Sequence, residues 1–298
     1  MQNNHKSVLQ AGLLVSLSGI LYGFLGFLGT KVLQENVDIS NMLFWRFFIA
    51  GCWMLPFVIR KCSTEKLFNI DKHNLIFLLS LGAIGYAGSS GFYFIASEHT
   101  GTGLAMVIFF SYPILIALYS WLTQRNSFNM KTFLILISMM VGLILLGKKD
   151  ASNNSFNFIG IAGGTAAALS YALYIIGSKK FSSKNADSNV VSMIVSFACA
   201  IIYLMLSLVK GTYSFPPMNS WITLLALGIF ATAIPIQLML EGLKRISSMR
   251  ASIISVLEPI VTVLVGVMLL EETISYLQML GVIIILGSAI IVQFQKEL

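Results

Sequence analysis

Two ionisable side chains stand inside long apolar stretches, where charge is costly. Arg46 lies in the run FWRFFIAG and Glu258 in SVLEPIVT. Inside a bilayer a charged side chain costs about 2.5–3.5 kcal/mol on insertion scales, so each needs a partner, water or a task. Glu258 falls near the middle of its run, which makes it a candidate proton carrier or partner for a substrate amine. Arg46 falls nearer the end of its run, close enough to an interface to snorkel. Either residue could instead be a structural fixture that caps a freed carbonyl or pairs within a bundle.

Other residue types join these two. Pro113 and Pro259 each sit in mid-run and remove a backbone donor, which leaves the carbonyls of Phe109 and Ser255 without their usual helical partners. Such carbonyls bond neighbouring helices or line a wet cavity. Tyr22, Tyr86, Tyr93, Tyr112, Tyr171 and Tyr174 all fall within apolar runs. A buried tyrosine hydroxyl needs a partner that lipid does not supply, so these rings are expected to face an internal cavity. Gln237, close to Pro235, is a further polar group at depth. Together these residues form the candidate lining of a substrate site, with aromatic faces suited to an apolar or cationic moiety.

The composition says what elements must carry them. Of the 298 residues 57% are hydrophobic and 10% charged, against about 25% charged in a soluble domain. Apolar runs of about 20 residues lie near 9–33, 41–60, 74–96, 102–123, 130–147, 157–178, 189–209, 220–243, 251–270 and 274–294. Each is long enough for a transmembrane helix. The expected fold is an all-α membrane protein of ten such helices, the first run being a retained span rather than a signal peptide. Gly19, Gly23 and Gly26, at helical spacing in the first run, allow close helix approach.

The chain is written twice. At an offset of 146, Leu78, Gly82, Ala87 and Pro113 meet Leu224, Gly228, Ala233 and Pro259. Near the start of each half, Gly29, Thr30 and Lys31 meet Gly177, Ser178 and Lys179 at an offset of 148. The two units are residues 8–147 and 157–294. Internal repeats in a hydrophobic chain are the mark of a transporter, and a broken helix pair at matching positions points to the substrate site.

The charges predict orientation. With both termini cytoplasmic, the external side holds only Lys31, Lys148, Lys149 and Lys210, while all remaining Lys and Arg except Arg46 collect on the inner side. Five spans per half is odd, so the halves enter the membrane in opposite senses as inverted repeats. The net charge of +7 then reports topology and contact with anionic lipid, not nucleic acid. No nucleotide-binding loop occurs, His5, His73 and His99 have no ligand-spaced neighbours, and Cys52, Cys62 and Cys199 form no motif. Neither enzyme chemistry, nor a metal, nor a cofactor is expected.

The stretch from Gly242 to Ile291 resembles the repeat of the EamA-type branch of the drug/metabolite transporter superfamily. The matching features are Ala251, the Glu258–Pro259 pair, Glu271, Gln278 and Gly281. The first half is similar but degenerate, with Tyr112 in place of Glu258 and Arg125 in place of Glu271. The resemblance implies a multi-pass carrier of the bacterial cytoplasmic (inner) membrane, a monomer or weak dimer. It would move a small polar metabolite by alternating access: an amino acid, a nucleotide-like or vitamin-like compound, or a drug. Proton-coupled export is one drive it allows; an uncoupled facilitator or channel-like pore is the other reading left open.

Overall fold

The computed structural model describes residues 2–61, 71–123, 130–147, 157–182, 187–269 and 275–294. Cys62, Lys66, Arg125, Lys148, Lys149, Lys184, Glu271, Glu272 and Lys296 lie outside the described residues.

Among the described residues the chain is helical, with no strand. Eight segments are long and apolar enough to cross a membrane: α1 (Ser7–Gln34), α2 (Ile39–Arg60), α3 (Lys72–Thr100), α4 (Thr102–Thr123), α6 (Phe158–Phe181), α7 (Ser188–Val209), α8 (Met218–Leu243) and α9 (Ser248–Leu269). Two more apolar helices, α5 (Met130–Leu146) and α10 (Tyr276–Val292), are shorter. Helix is the only local solution for such segments, because it satisfies every backbone polar group internally where water is missing. Their ends are marked by polar chemistry. Asp187 accepts from the Asn189 N–H at 2.9 Å to cap α7, and Ser247 accepts from the Arg250 N–H at 3.2 Å to cap α9. Gly101, at φ 78°, joins α3 to α4, a backbone conformation that glycine adopts without strain.

Most of the tightest packing joins the first part of the chain to the second. α2 packs on α7, α3 on α6, α5 on α10 and α1 on α8. The α5–α10 crossing is close enough that a Cβ on Gly281 would stand 2.6 Å from the Gly142 carbonyl oxygen, so small residues set that distance. The outer faces carry exposed Leu13, Ile76, Ile84 and Leu122. An apolar surface of this extent suits lipid as solvent rather than water.

Five of the apolar segments are not continuous α-helix; α1 is broken between Tyr22 and Leu25. α3 contains a π-helical stretch, Leu81–Ala87, and α8 another, Ile229–Ala233. α4 is broken between Phe109 and Tyr112, and α9 between Ile254 and Leu257. The irregularities of α3 and α8, and those of α4 and α9, fall at corresponding places in the two halves, whereas α6 is continuous where α1 is broken. Pro113 and Pro259 lie in the first turn after each break, where a missing N–H is one of the helix's unbonded donors in any case. The Ser255 carbonyl is not left open as expected: it accepts from the Glu258 N–H at 3.0 Å, a tightened first turn. The prolines start new helices rather than merely kinking old ones.

Candidate functional site

A cavity of about 120 Å³ is lined by residues at or beside the breaks of α1, α4 and α9 and the π-helical stretch of α3. Tyr22, Leu25 and Gly26 come from α1, Arg46 from α2, and Tyr86, Ser89, Ser90, Tyr93 and Phe94 from α3. Met106, Phe109 and Phe110 of α4, Tyr171 of α6, and Glu258 and Thr262 of α9 complete the lining.

Glycine in α1 explains how Glu258 reaches the cavity. A Cβ on Gly23 would sit 2.5 Å from Cβ of Val261 and 3.1 Å from the Glu258 carbonyl oxygen. Only hydrogen lets α1 lie that close to the second piece of α9. Because α9 restarts at Leu257, Glu258 occupies the first turn of that piece. An acidic residue there is favoured by the unbonded N–H groups of a helix start. Its carboxylate has no hydrogen-bond donor and no ion pair among the described residues. Its backbone carbonyl accepts from the Thr262 hydroxyl at 3.1 Å.

Arg46 lines the same cavity from α2 and is 2% exposed. Its Nε donates to the Thr232 hydroxyl at 2.7 Å, and its guanidinium carbon lies 4.8 Å from the centre of the Phe47 ring. The two terminal nitrogens make no hydrogen bond to described residues. Arg46 does not snorkel to an interface; it is held within the bundle.

Tyrosines are packed against one another at and behind the cavity wall. The Tyr86 hydroxyl donates to the Tyr22 hydroxyl at 2.9 Å. Ring centres of Tyr86 and Tyr174 are 4.8 Å apart, and those of Tyr112 and Tyr171 are 4.7 Å apart, both pairs edge to face. Such pairs add about 0.5–1.5 kcal/mol each beyond burial.

Of the residues singled out from the sequence, Tyr22, Arg46, Tyr86, Tyr93, Tyr171 and Glu258 meet at the cavity. Tyr112 and Tyr174 stand behind that surface as packing partners of its rings. The Tyr112 hydroxyl donates to the Ser252 carbonyl at 3.3 Å. Gln237 is turned elsewhere and donates to the Asn189 side chain at 2.6 Å. The reason is the π-helical stretch that precedes it: an inserted residue rotates the following helix by about 100°, one residue's share of a 3.6-residue turn. Span α8 therefore contributes Thr232 to the support of Arg46 and no residue to the lining. Ser89, Ser90, Phe94 and Phe109 join the lining without a sequence expectation for their side chains; Ser89 and Ser90, three and four residues from Tyr86 and Tyr93, share that helix face.

The EamA-like transporter family model matches residues 9–148 and 158–294. The chain is 25% identical over 281 residues to an uncharacterized transporter of Archaeoglobus fulgidus, covering 93% of this chain and 94% of that one. It is 22% identical over 287 residues to the uncharacterized inner membrane transporter YicL of Salmonella typhimurium, covering 95% of each. It is also 22% identical over 288 residues to the threonine/homoserine exporter RhtA of Salmonella typhimurium, covering 95% of this chain and 86% of that one. A solved crystal structure with 19% sequence identity superposes at a TM-score of 0.82 over 95% of this chain and 98% of that one, which shows the shared fold. With both halves matched and the helices and central cavity in place, this chain is an integral multi-pass membrane protein belonging to the EamA-like transporter family.

Proposed function

We propose that this protein is a secondary carrier for a small metabolite bearing both an amino and a carboxyl group, an amino acid or a close analogue. One observation carries the reading: Glu258 and Arg46 line a single cavity, each with its charged end unbonded to the other. A carboxylate can accept an ammonium, and free guanidinium nitrogens can take a carboxylate in a two-pronged bond. The aromatic walls receive the remaining side chain. The similarity to a threonine/homoserine exporter points to the same class of solute.

The mechanism we infer is alternating access by two inverted repeats with both termini cytoplasmic. The matched π-helical stretches and breaks support the repeat, and the charge distribution supports the orientation. In that orientation the lining residues lie in the central and external parts of α1, α3, α4 and α9. Glu258 is the group we assign to proton coupling, because its carboxyl is free to exchange a proton with the cavity or to bind an amine.

The test is transport by the purified protein in proteoliposomes with an imposed pH gradient and radiolabelled L-threonine. Concentrative uptake that collapses with the gradient is expected, with competition from other small amino acids. Equilibration that ignores the gradient would make the protein a facilitator. If neither L-threonine nor any competing amino acid is carried, the zwitterion reading is wrong.

A further inference from the structure

Arg46 faces the cavity from a helix that makes few other commitments there, so something must aim it. The only hydrogen bond from its side chain among the described residues is Nε to the Thr232 hydroxyl, at 2.7 Å. Thr232 is fully buried and lies in the π-helical stretch of α8. Its hydroxyl also donates to the Leu227 carbonyl at 2.8 Å. A guanidinium cannot accept, so this hydroxyl must accept from Arg46 and donate to Leu227. Its orientation is fixed from both sides.

The approach of the two helices is fixed too. A Cβ on Gly228 would stand 2.6 Å from Cγ2 of Ile49 and 3.1 Å from the Arg46 carbonyl oxygen. Gly228 thus lets α8 lie directly against the turn of α2 that carries Arg46. The π-helical stretch begins at the next residue and turns Thr232 towards that side chain. With Nε engaged and Phe47 beneath the guanidinium, the two terminal nitrogens remain for a ligand.

We propose that Thr232 is the positioning residue that aims the Arg46 guanidinium and so sets the requirement for a carboxylate on the transported solute. The proposal rests on the zwitterion reading above for its ligand, but the Thr232–Arg46 bond can be tested without one. Threonine to valine keeps the shape and removes the hydroxyl, leaving Nε unpaired and the guanidinium free to turn.

The experiment compares full-length wild type, Thr232→Val and Thr232→Ser in proteoliposomes. For L-threonine the valine variant should raise KM about ten-fold, as loss of a hydrogen bond to a charged group would, while the maximal rate stays within about two-fold. Serine should restore KM. Inhibition by 1-amino-2-propanol, which lacks the carboxylate, should be the same in all three. A second readout needs no transport: the Arg46 Nε–H resonance in protein labelled with ¹⁵N-arginine, assigned by its loss in Arg46→Lys. It should be protected from solvent exchange in wild type and the serine variant, and exposed in the valine variant. Unchanged protection in the valine variant overturns the proposal, as does lost protection with an unchanged KM. An equal loss for 1-amino-2-propanol also overturns it, because that marks general damage. If wild type carries neither L-threonine nor any other small amino acid, the zwitterion reading falls, and the exchange data alone decide whether Thr232 positions Arg46.

Discussion

Glu258 and Arg46 look into one cavity from α9 and α2, and no N···O contact within 4.0 Å joins them. Two opposite charges so placed would lower each other's burial cost by pairing, since desolvated ions repay their penalty only with good partners. Kept apart, they leave both partners to be supplied by something that enters the cavity. A zwitterion supplies both at once, and a proton can satisfy the carboxylate when the cavity is empty.

The first prediction concerns the carboxylate. Glu258→Gln keeps the shape and a hydrogen-bonding end while removing the titrating group. If Glu258 carries the coupling proton, the variant should bind substrate and exchange it in counterflow, but gradient-driven accumulation should fall to passive equilibration. Accumulation at the wild-type level would remove the coupling role and leave Glu258 a structural residue.

Much of this was legible before any fold was known, and the rest failed for identifiable reasons. Glu258, Arg46 and the paired prolines announce themselves because charges and missing donors are conspicuous in an apolar background. The proposed repeat rests on the equivalence of Gly82 with Gly228 and Pro113 with Pro259. Helical phase was the weak link. Gln237 reads as a deep polar group, but its direction depends on the π-helical stretch at Ile229–Ala233, which no residue pattern marks. Thr232 was invisible for the same reason: a threonine in an apolar run looks like an ordinary helix residue that bonds its own backbone. The depth of Tyr112 and Tyr174 could be read from the sequence, but not that other rings would stand between them and the cavity.

A second prediction uses the Tyr86–Tyr22 bond of 2.9 Å. Removing either hydroxyl strands the other in a buried site, which costs about 1–3 kcal/mol, whereas removing both leaves nothing unpaired. Tyr22→Phe and Tyr86→Phe should each lower the thermal midpoint in detergent. The double variant should recover most of the loss, giving a clear interaction energy in the cycle. Strictly additive losses would mean that the two hydroxyls do not depend on each other.

The third prediction tests how α1 and α9 hold the cavity together. Gly23→Ala places a methyl group 2.5 Å from Cβ of Val261, and overpacking of this kind costs about 1–3 kcal/mol. The variant should be less thermostable and should transport poorly, because the helix carrying Glu258 is pushed away. Adding Val261→Ala removes Cγ1, 2.6 Å from the new methyl group, but keeps Cβ, so it should return only part of the stability. No recovery in the double variant would place the clash on the retained Cβ and the Glu258 backbone, which cannot move aside.

The last prediction is topological. Lys148 lies in the segment between the halves and Lys184 between α6 and α7, with one membrane-crossing helix, α6, separating them in sequence. They must therefore report opposite sides. The excess of Lys and Arg on the loops assigned to the terminal side predicts which is which, since such residues resist translocation. A reporter active only outside the cytoplasm should work when fused at Lys148 and fail at Lys184, and a cytoplasm-active reporter should show the reverse. The opposite result would invert the molecule and put both termini outside. Two fusions reporting the same side would be more damaging still, because α6 could not then cross and the inverted relation between the halves would be lost.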